Sequence, residues 1–170
     1  MIDQPKPPGK AVRLRASCGG FCCVHAHIVG EHGDSEFPLW SSARIGSVPT
    51  LDWQPAGGEP MTAPELDELA VDVRDAAYRV IQGKGATNYA IGVAATRIVE
   101  AILSDERAVM PVSTVLDGFH GISGVALSVP SIGGAVGATP VRETRFSDDE
   151  LGRLPHSADV IRAPAQSLSR

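Results

Sequence analysis

Cysteine is scarce in this chain of 170 residues: three occur, Cys18, Cys22 and Cys23, all near the start. That clustering excludes a disulfide framework spread across a secreted fold and makes the reducing cytoplasm the expected setting. Positive charge is also short, with 15 Lys and Arg against 20 acidic residues and a net charge of −5. Because no basic stripe stands out beyond Arg13 and Arg15, no nucleic-acid partner is expected. No apolar run approaches the roughly 20 residues that cross a bilayer, and the Pro/Lys-rich start lacks the apolar core of a signal peptide, so no membrane role is expected. A G-x-G-x-x-G turn between a strand and a helix is missing too, which excludes a dinucleotide-binding (Rossmann) unit of that kind.

What is present reads as one α+β domain. Hydrophobic residues make up 43% of the chain and charged residues 21%, enough for one ordinary core. Residues 1–20 mix Pro, Gly, Arg, Ser and Cys without a period of two or 3.6 and are expected to be irregular. From Phe21 to Val29 alternation sets Val24, Ala26 and Ile28 on one face of a strand and His25, His27 and Val29 on the other, and Gly30 ends it.

Thr62-Ala63-Pro64-Glu65 opens a long helix whose apolar face recurs from Leu66 through Ile81, with Gly83 and Gly85 at its end. Asn88 to about Leu103 forms a second helix with the stripe Ile91, Ala94, Ala95, Ile98, Val99 and Ile102. Three strands follow, Ala108–Leu116, His120–Pro130 and Thr139–Phe146, as an antiparallel meander. Ser147-Asp148-Asp149-Glu150 caps a last helix through Ile161, which Pro164 stops or kinks. Strands and helices segregate instead of alternating, hence α+β, with antiparallel strands packed against long helices.

Val29-Gly30-Glu31-His32-Gly33-Asp34-Ser35 sets a histidine between two glycines at the end of an apolar run. Imidazole titrates near neutrality, and on a tight turn at a strand end it is placed to exchange a proton with a bound substrate. The stretch from Val24 to Ser41, together with VDVRDAAYRVIQGKGATNYAI at Val71–Ile91 and AVMPVSTVLDGFHGI at Ala108–Ile122, strongly resembles the catalytic, C-terminal half of bacterial L-lactate dehydrogenases, in the lactate/malate dehydrogenase family. The likeness runs over roughly residues 24–165, so 24–170 is expected to be the family domain and 1–23 a segment outside it. Glu31 before the histidine leans toward lactate over malate.

The resemblance implies a role for several residues. His32 would be the catalytic acid/base, giving its proton to the keto oxygen of pyruvate and taking one back from L-lactate, next to NAD. Gly30 and Gly33 would let the backbone turn beside the ligands. Thr87 would hydrogen-bond near the substrate carboxylate, and Ile91 would pack on the nicotinamide ring, although on pattern alone Ile91 is a core residue and Thr87 a helix N-cap. His25 matches a position that helps to bind fructose 1,6-bisphosphate at a subunit interface, and a homo-oligomer is implied with it.

This chain also departs from the family. Where the family reads Leu-Asp-x-x-Arg-Phe-Arg, supplying the carboxylate that orients the histidine and the arginine that grips the substrate, residues 4–10 read Gln-Pro-Lys-Pro-Pro-Gly-Lys. The chain alone is therefore expected to be inactive, and its opening to be a truncated or frameshifted reading whose upstream DNA encodes the missing motif in another frame. Three rivals stand beside the main reading: malate or another 2-hydroxy acid as substrate, a non-catalytic oligomerisation or binding module, and a zinc site using Cys18, Cys22, His27 and His32. Strand geometry lines these last groups up instead of gathering them around an ion, so no metal is expected.

Overall fold

The computed structural model describes residues 24–54 and 58–168. The expected irregular segment 1–23, with all three cysteines, lies outside the described residues. The first elements are short strands: β1 (Val24–His25), β2 (Ile28–Val29), β3 (Phe37–Pro38), β4 (Arg44–Ile45) and β5 (Val48–Pro49). Helices α1 (Ala63–Arg74), α2 (Ala76–Lys84) and α3 (Asn88–Leu103) follow. Strands β6 (Ala108–Val115), β7 (Ala126–Gly134) and β8 (Gly137–Pro140) then form an antiparallel sheet in that order, and α4 (Asp148–Leu168) closes the domain. The α+β class holds.

The strand expected over 21–29 is two strands in its described part. β1 pairs with β4, whereas β2 pairs with β3, and between them the His27 carbonyl accepts a hydrogen bond from the Leu39 N–H at 2.9 Å. Of the residues on either side of the break, Val29 is buried and Ala26 is exposed. Gly30 continues the line by pairing in both directions with Ser128 of β7, N–H to O at 2.8 and 3.1 Å. The histidine turn is thereby tied to the central strand of the main sheet.

The helix expected to run unbroken from Thr62 is α1 plus α2, interrupted at Asp75. Asp75 still donates its N–H to Val71 O at 2.9 Å, and its own carbonyl accepts from Arg79 N–H at 3.1 Å, so it ends one helix and begins the next. A short acidic side chain favours such a junction because it competes for nearby backbone donors. The expected helix start at Thr62–Glu65 is present, and there the Glu65 carboxylate accepts from Thr62 N–H and Oγ1–H, both at 3.0 Å.

Two strand expectations fail where glycine interrupts the pattern. Residues 117–124 are not strand: Gly118, Gly121 and Gly124 all hold positive φ, and His120 does as well. The tight loop they make buries Phe119 and Ile122, which pair with each other, and β7 starts only at Ala126. The expected strand at 139–146 is instead β8, shifted to Gly137–Pro140 because Gly134 and Gly137 close a two-residue hairpin. After it the chain turns at Val141–Thr144, and Phe146 packs edge-on against Phe119 with ring centroids 6.1 Å apart.

Pro164 does not stop the last helix, which passes both Pro155 and Pro164. Leu154, Ser157 and Ala158 are buried on its inner face, with Leu151 and Ile161 packed alongside, whereas both prolines are exposed. Side-chain packing on one face offsets the backbone hydrogen bonds that the prolines cannot make on the other. The core joins Val29, Phe37 and Leu39 to Leu127 and Val129 of β7 and Leu154 of α4.

Candidate active site

The turn after β2 is built as a small hydrogen-bonded frame. Gly30 has φ of +99°, and a Cβ there would stand 2.7 Å from Ser157 Oγ. Ser157 is fully buried and accepts a hydrogen bond from Glu31 N–H at 2.6 Å. The Glu31 carboxylate turns inward and accepts from Ser35 N–H at 3.2 Å and Ser35 Oγ–H at 2.6 Å. With its single hydroxyl proton given to Glu31, Ser35 must accept at Oγ from Ser157, 3.0 Å away. The chain of bonds therefore has one direction, from Ser157 through Ser35 to Glu31.

His32 stands at the apex of this frame, its side chain 97% exposed, with Nδ1 3.5 Å from Glu36 Oε2. His32, Gly30, Glu31 and Gly33 line an open cleft of about 860 Å³, closed on other sides by Arg74 and Tyr78 of the α1–α2 pair and by Met110 of β6. The cleft brings a proton donor beside a mainly aliphatic wall, a suitable place for a small substrate to meet an acid/base group. Arg74 has its Nε 3.2 Å from Asp75 Oδ1.

The other expected site residues do not line that cleft. Thr87 occupies the N-cap position of α3 and is half-buried, but its side chain makes no capping bond. Ile91 is 62% exposed, contrary to the core position that its helical spacing indicates. The cause is that α3 buries only Ala101 fully, leaving Tyr89, Val93 and Leu103 in solvent as well. His25 is exposed and lies opposite the exposed Arg44 across the β1–β4 pair. Among the described residues no cluster of three or more metal-ligating side chains occurs, and no helix is long and apolar enough to cross a membrane.

Burial, with a smaller contribution from His25, holds His27 below the ordinary imidazole value of 6.5. As pH falls through 6.5 the unfolded chain binds this proton first, so stability declines until the lower folded-state value is passed. Between about pH 8 and about pH 5 the melting temperature of His27→Gln is expected to fall less than that of the unaltered protein. Equal slopes would refute the assignment.

Two residues of the frame escape sequence reasoning. Ser157 left a signal, a polar residue at the helical spacing of Leu154 and Ile161, on the face that α4 buries. Glu36 left none, because nothing in its neighbourhood says which way the turn folds. Ser157→Ala deprives Glu31 N–H of its acceptor in a buried place and should cost about 1–3 kcal/mol in urea unfolding. A change below a few tenths would show that the frame is not held there.

The site is thus an exposed histidine on a glycine turn, fixed to an antiparallel sheet and a terminal helix. The chain belongs to the lactate/malate dehydrogenase family: the model of its alpha/beta C-terminal domain matches residues 22–168. L-lactate dehydrogenase from Bifidobacterium animalis subsp. lactis is 50% identical over 143 residues, which is 84% of this chain and 45% of that protein. The L-lactate dehydrogenase of Kosmotoga olearia is 41% identical over 165 residues, 92% of this chain and 50% of its own length. Among solved structures, the minor L-lactate dehydrogenase of Enterococcus mundtii in its ligands-bound form superposes with a TM-score of 0.79 at 35% identity, over 89% of this chain and 49% of that one. Malate dehydrogenase from Archaeoglobus fulgidus in complex with NADH gives a TM-score of 0.72 at 34% identity, over 86% and 44%. The chain thus spans about half the length of the relatives it matches, all of them oxidoreductases by name.

Proposed function

We propose that this chain is the catalytic-domain portion of an L-lactate dehydrogenase, interconverting pyruvate and L-lactate with NAD, and that His32 is its acid/base. The observation that carries the reading is the His32 turn, an imidazole facing a cleft while its backbone is held by Ser157 and Glu31. His32 as imidazolium donates its Nε2 proton to the keto oxygen of pyruvate, and as imidazole it accepts the hydroxyl proton of lactate. NAD, when bound, supplies or receives the hydride. The described residues contain no strand, glycine turn and helix of the kind that seats a dinucleotide, so this chain's own part is the proton.

Thr87 remains the candidate for the substrate carboxylate and Ile91 for the nicotinamide face; the exposure of Ile91 leaves it open to such a contact. The same reading gives His25 to fructose 1,6-bisphosphate in a cytoplasmic homo-oligomer, supported by its exposed pairing with Arg44. A chimera carrying the N-terminal portion of the Bifidobacterium relative ahead of Val24 tests the substrate. It should oxidise NADH with pyruvate, and a preference for oxaloacetate would move the assignment to malate.

A second reading rests on α3, whose Leu103 is 81% exposed in company with Tyr89 and Val93. Such an apolar face suits an assembly module without catalysis. Sedimentation with NADH titration separates the two: a monodisperse species that binds the cofactor favours the enzyme, and an oligomer blind to it favours the module.

A further inference from the structure

We infer that Glu36 is the positioning residue for His32: its carboxylate takes the Nδ1–H of the imidazole and leaves Nε2 to meet the substrate. The inference rests on the reading of His32 as the proton-transfer group. The resemblance gives this office to a carboxylate in the stretch that here reads Gln4–Lys10, but the fold brings another to the same ring nitrogen.

Three observations carry it. Nδ1 of His32 and Oε2 of Glu36 are 3.5 Å apart, and the two side chains differ sharply in freedom, 97% exposed against 15%. Glu36 is the fixed partner: its N–H donates to Gly33 O at 3.2 Å, and the buried Phe37 of β3 follows directly. A carboxylate so largely removed from water needs a positive or donating neighbour. Among the described residues, the ion-pair contact of Glu36 is the one to His32, whose Nδ1 can serve as a donor whether the ring is neutral or protonated.

Of the two other acids beside this histidine, Glu31 is already engaged, since it accepts from Ser35 twice, and Asp34 is exposed. The Glu36 separation is longer than an ordinary N–H···O bond, and catalytic contacts of this kind commonly tighten when substrate arrives. A hydrogen bond at one ring nitrogen sets which nitrogen is protonated, so the pairing makes neutral His32 the Nδ1–H tautomer with Nε2 free to accept. It also offers negative charge to the imidazolium.

Long-range nitrogen–proton spectra of the full chain at about pH 9, where an ordinary imidazole is neutral, read this tautomer directly. His32→Gln identifies the resonances. The unaltered protein should show Nδ1 protonated and Nε2 bare. Glu36→Met, close in volume but without an acceptor, should exchange the two, and Glu36→Asp should restore part of the original pattern. Glu36→Ala serves in place of Glu36→Met should a thermal melt show that the thioether does not pack.

An Nε2–H tautomer in the unaltered protein overturns the inference. So does a pattern that survives loss of the carboxylate. Neither result depends on turnover: a chimera that ignores pyruvate while Glu36 still sets the tautomer refutes the lactate reading alone. Pyruvate turnover that needs His32, with a tautomer indifferent to residue 36, refutes the role of Glu36 alone.

Discussion

His32→Asn in the chimera is expected to lower kcat for pyruvate reduction by on the order of 10²- to 10⁴-fold, the usual worth of a positioned general acid. The magnitude is readable as chemistry because the imidazole contributes almost nothing to packing, with its side chain 97% exposed. The melting temperature should therefore stay within a degree or two of the parent, since exposed substitutions away from special features cost about 0.5 kcal/mol or less. A variant that keeps most of its rate would remove His32 from the mechanism. The chain by itself should show no pyruvate-dependent NADH oxidation, because residues 4–10 lack the family's carboxylate and arginine and the described residues offer no dinucleotide seat. Turnover by the purified chain without a partner would refute that expectation.

Gly30→Ala is expected to destabilise the fold strongly. Its φ of +99° is a conformation that a Cβ disfavours, at a cost of roughly 1–2 kcal/mol. The added carbon would also stand 2.7 Å from Ser157 Oγ, displacing the hydroxyl that accepts from Glu31 N–H. Losing that buried bond adds about 1–3 kcal/mol. Together these come to about 2–5 kcal/mol, a large share of the roughly 5–15 kcal/mol that holds a small domain, so the variant should lose that much in urea unfolding and melt several degrees or more below the parent by circular dichroism. Gly152→Ala in α4 is the control: its φ is not in the left-handed range, and nothing lies within 4 Å of its added Cβ. A Gly30→Ala protein as stable as Gly152→Ala would show that the frame yields easily.

Much of the architecture was legible in the sequence. The helical stretches over 62–81 and 88–103 follow from apolar spacing, the first without its break at Asp75, and a three-stranded antiparallel meander follows from alternation and glycine. The errors fall where local pattern and tertiary demand part. Residues 120–125 alternate like a strand, but three glycines in left-handed conformations fold them into a loop that buries Phe119. Pro164 reads as a stop or a kink, and the helix continues past it with its inner face already anchored upstream by Leu154 and Ala158. At the site, His32 and its flanking glycines were evident from residue type and spacing, whereas the inward turn of the Glu31 carboxylate was not.

By itself, the sequence determined the class of fold, the family and the histidine on its turn, because these depend on residue type, short-range spacing and a long resemblance. Only the tertiary structure decided what surrounds that histidine. Ser157 comes from the far end of the chain, 126 positions beyond Glu31, and no local pattern encodes a contact at that separation. Glu36 reaches His32 through the backbone path of the turn itself, which Gly30, Ser128 and Ser157 set together. The physical reason is the same for both: a hydrogen bond depends on where atoms lie after the core has closed, and the core joins segments that the sequence keeps apart.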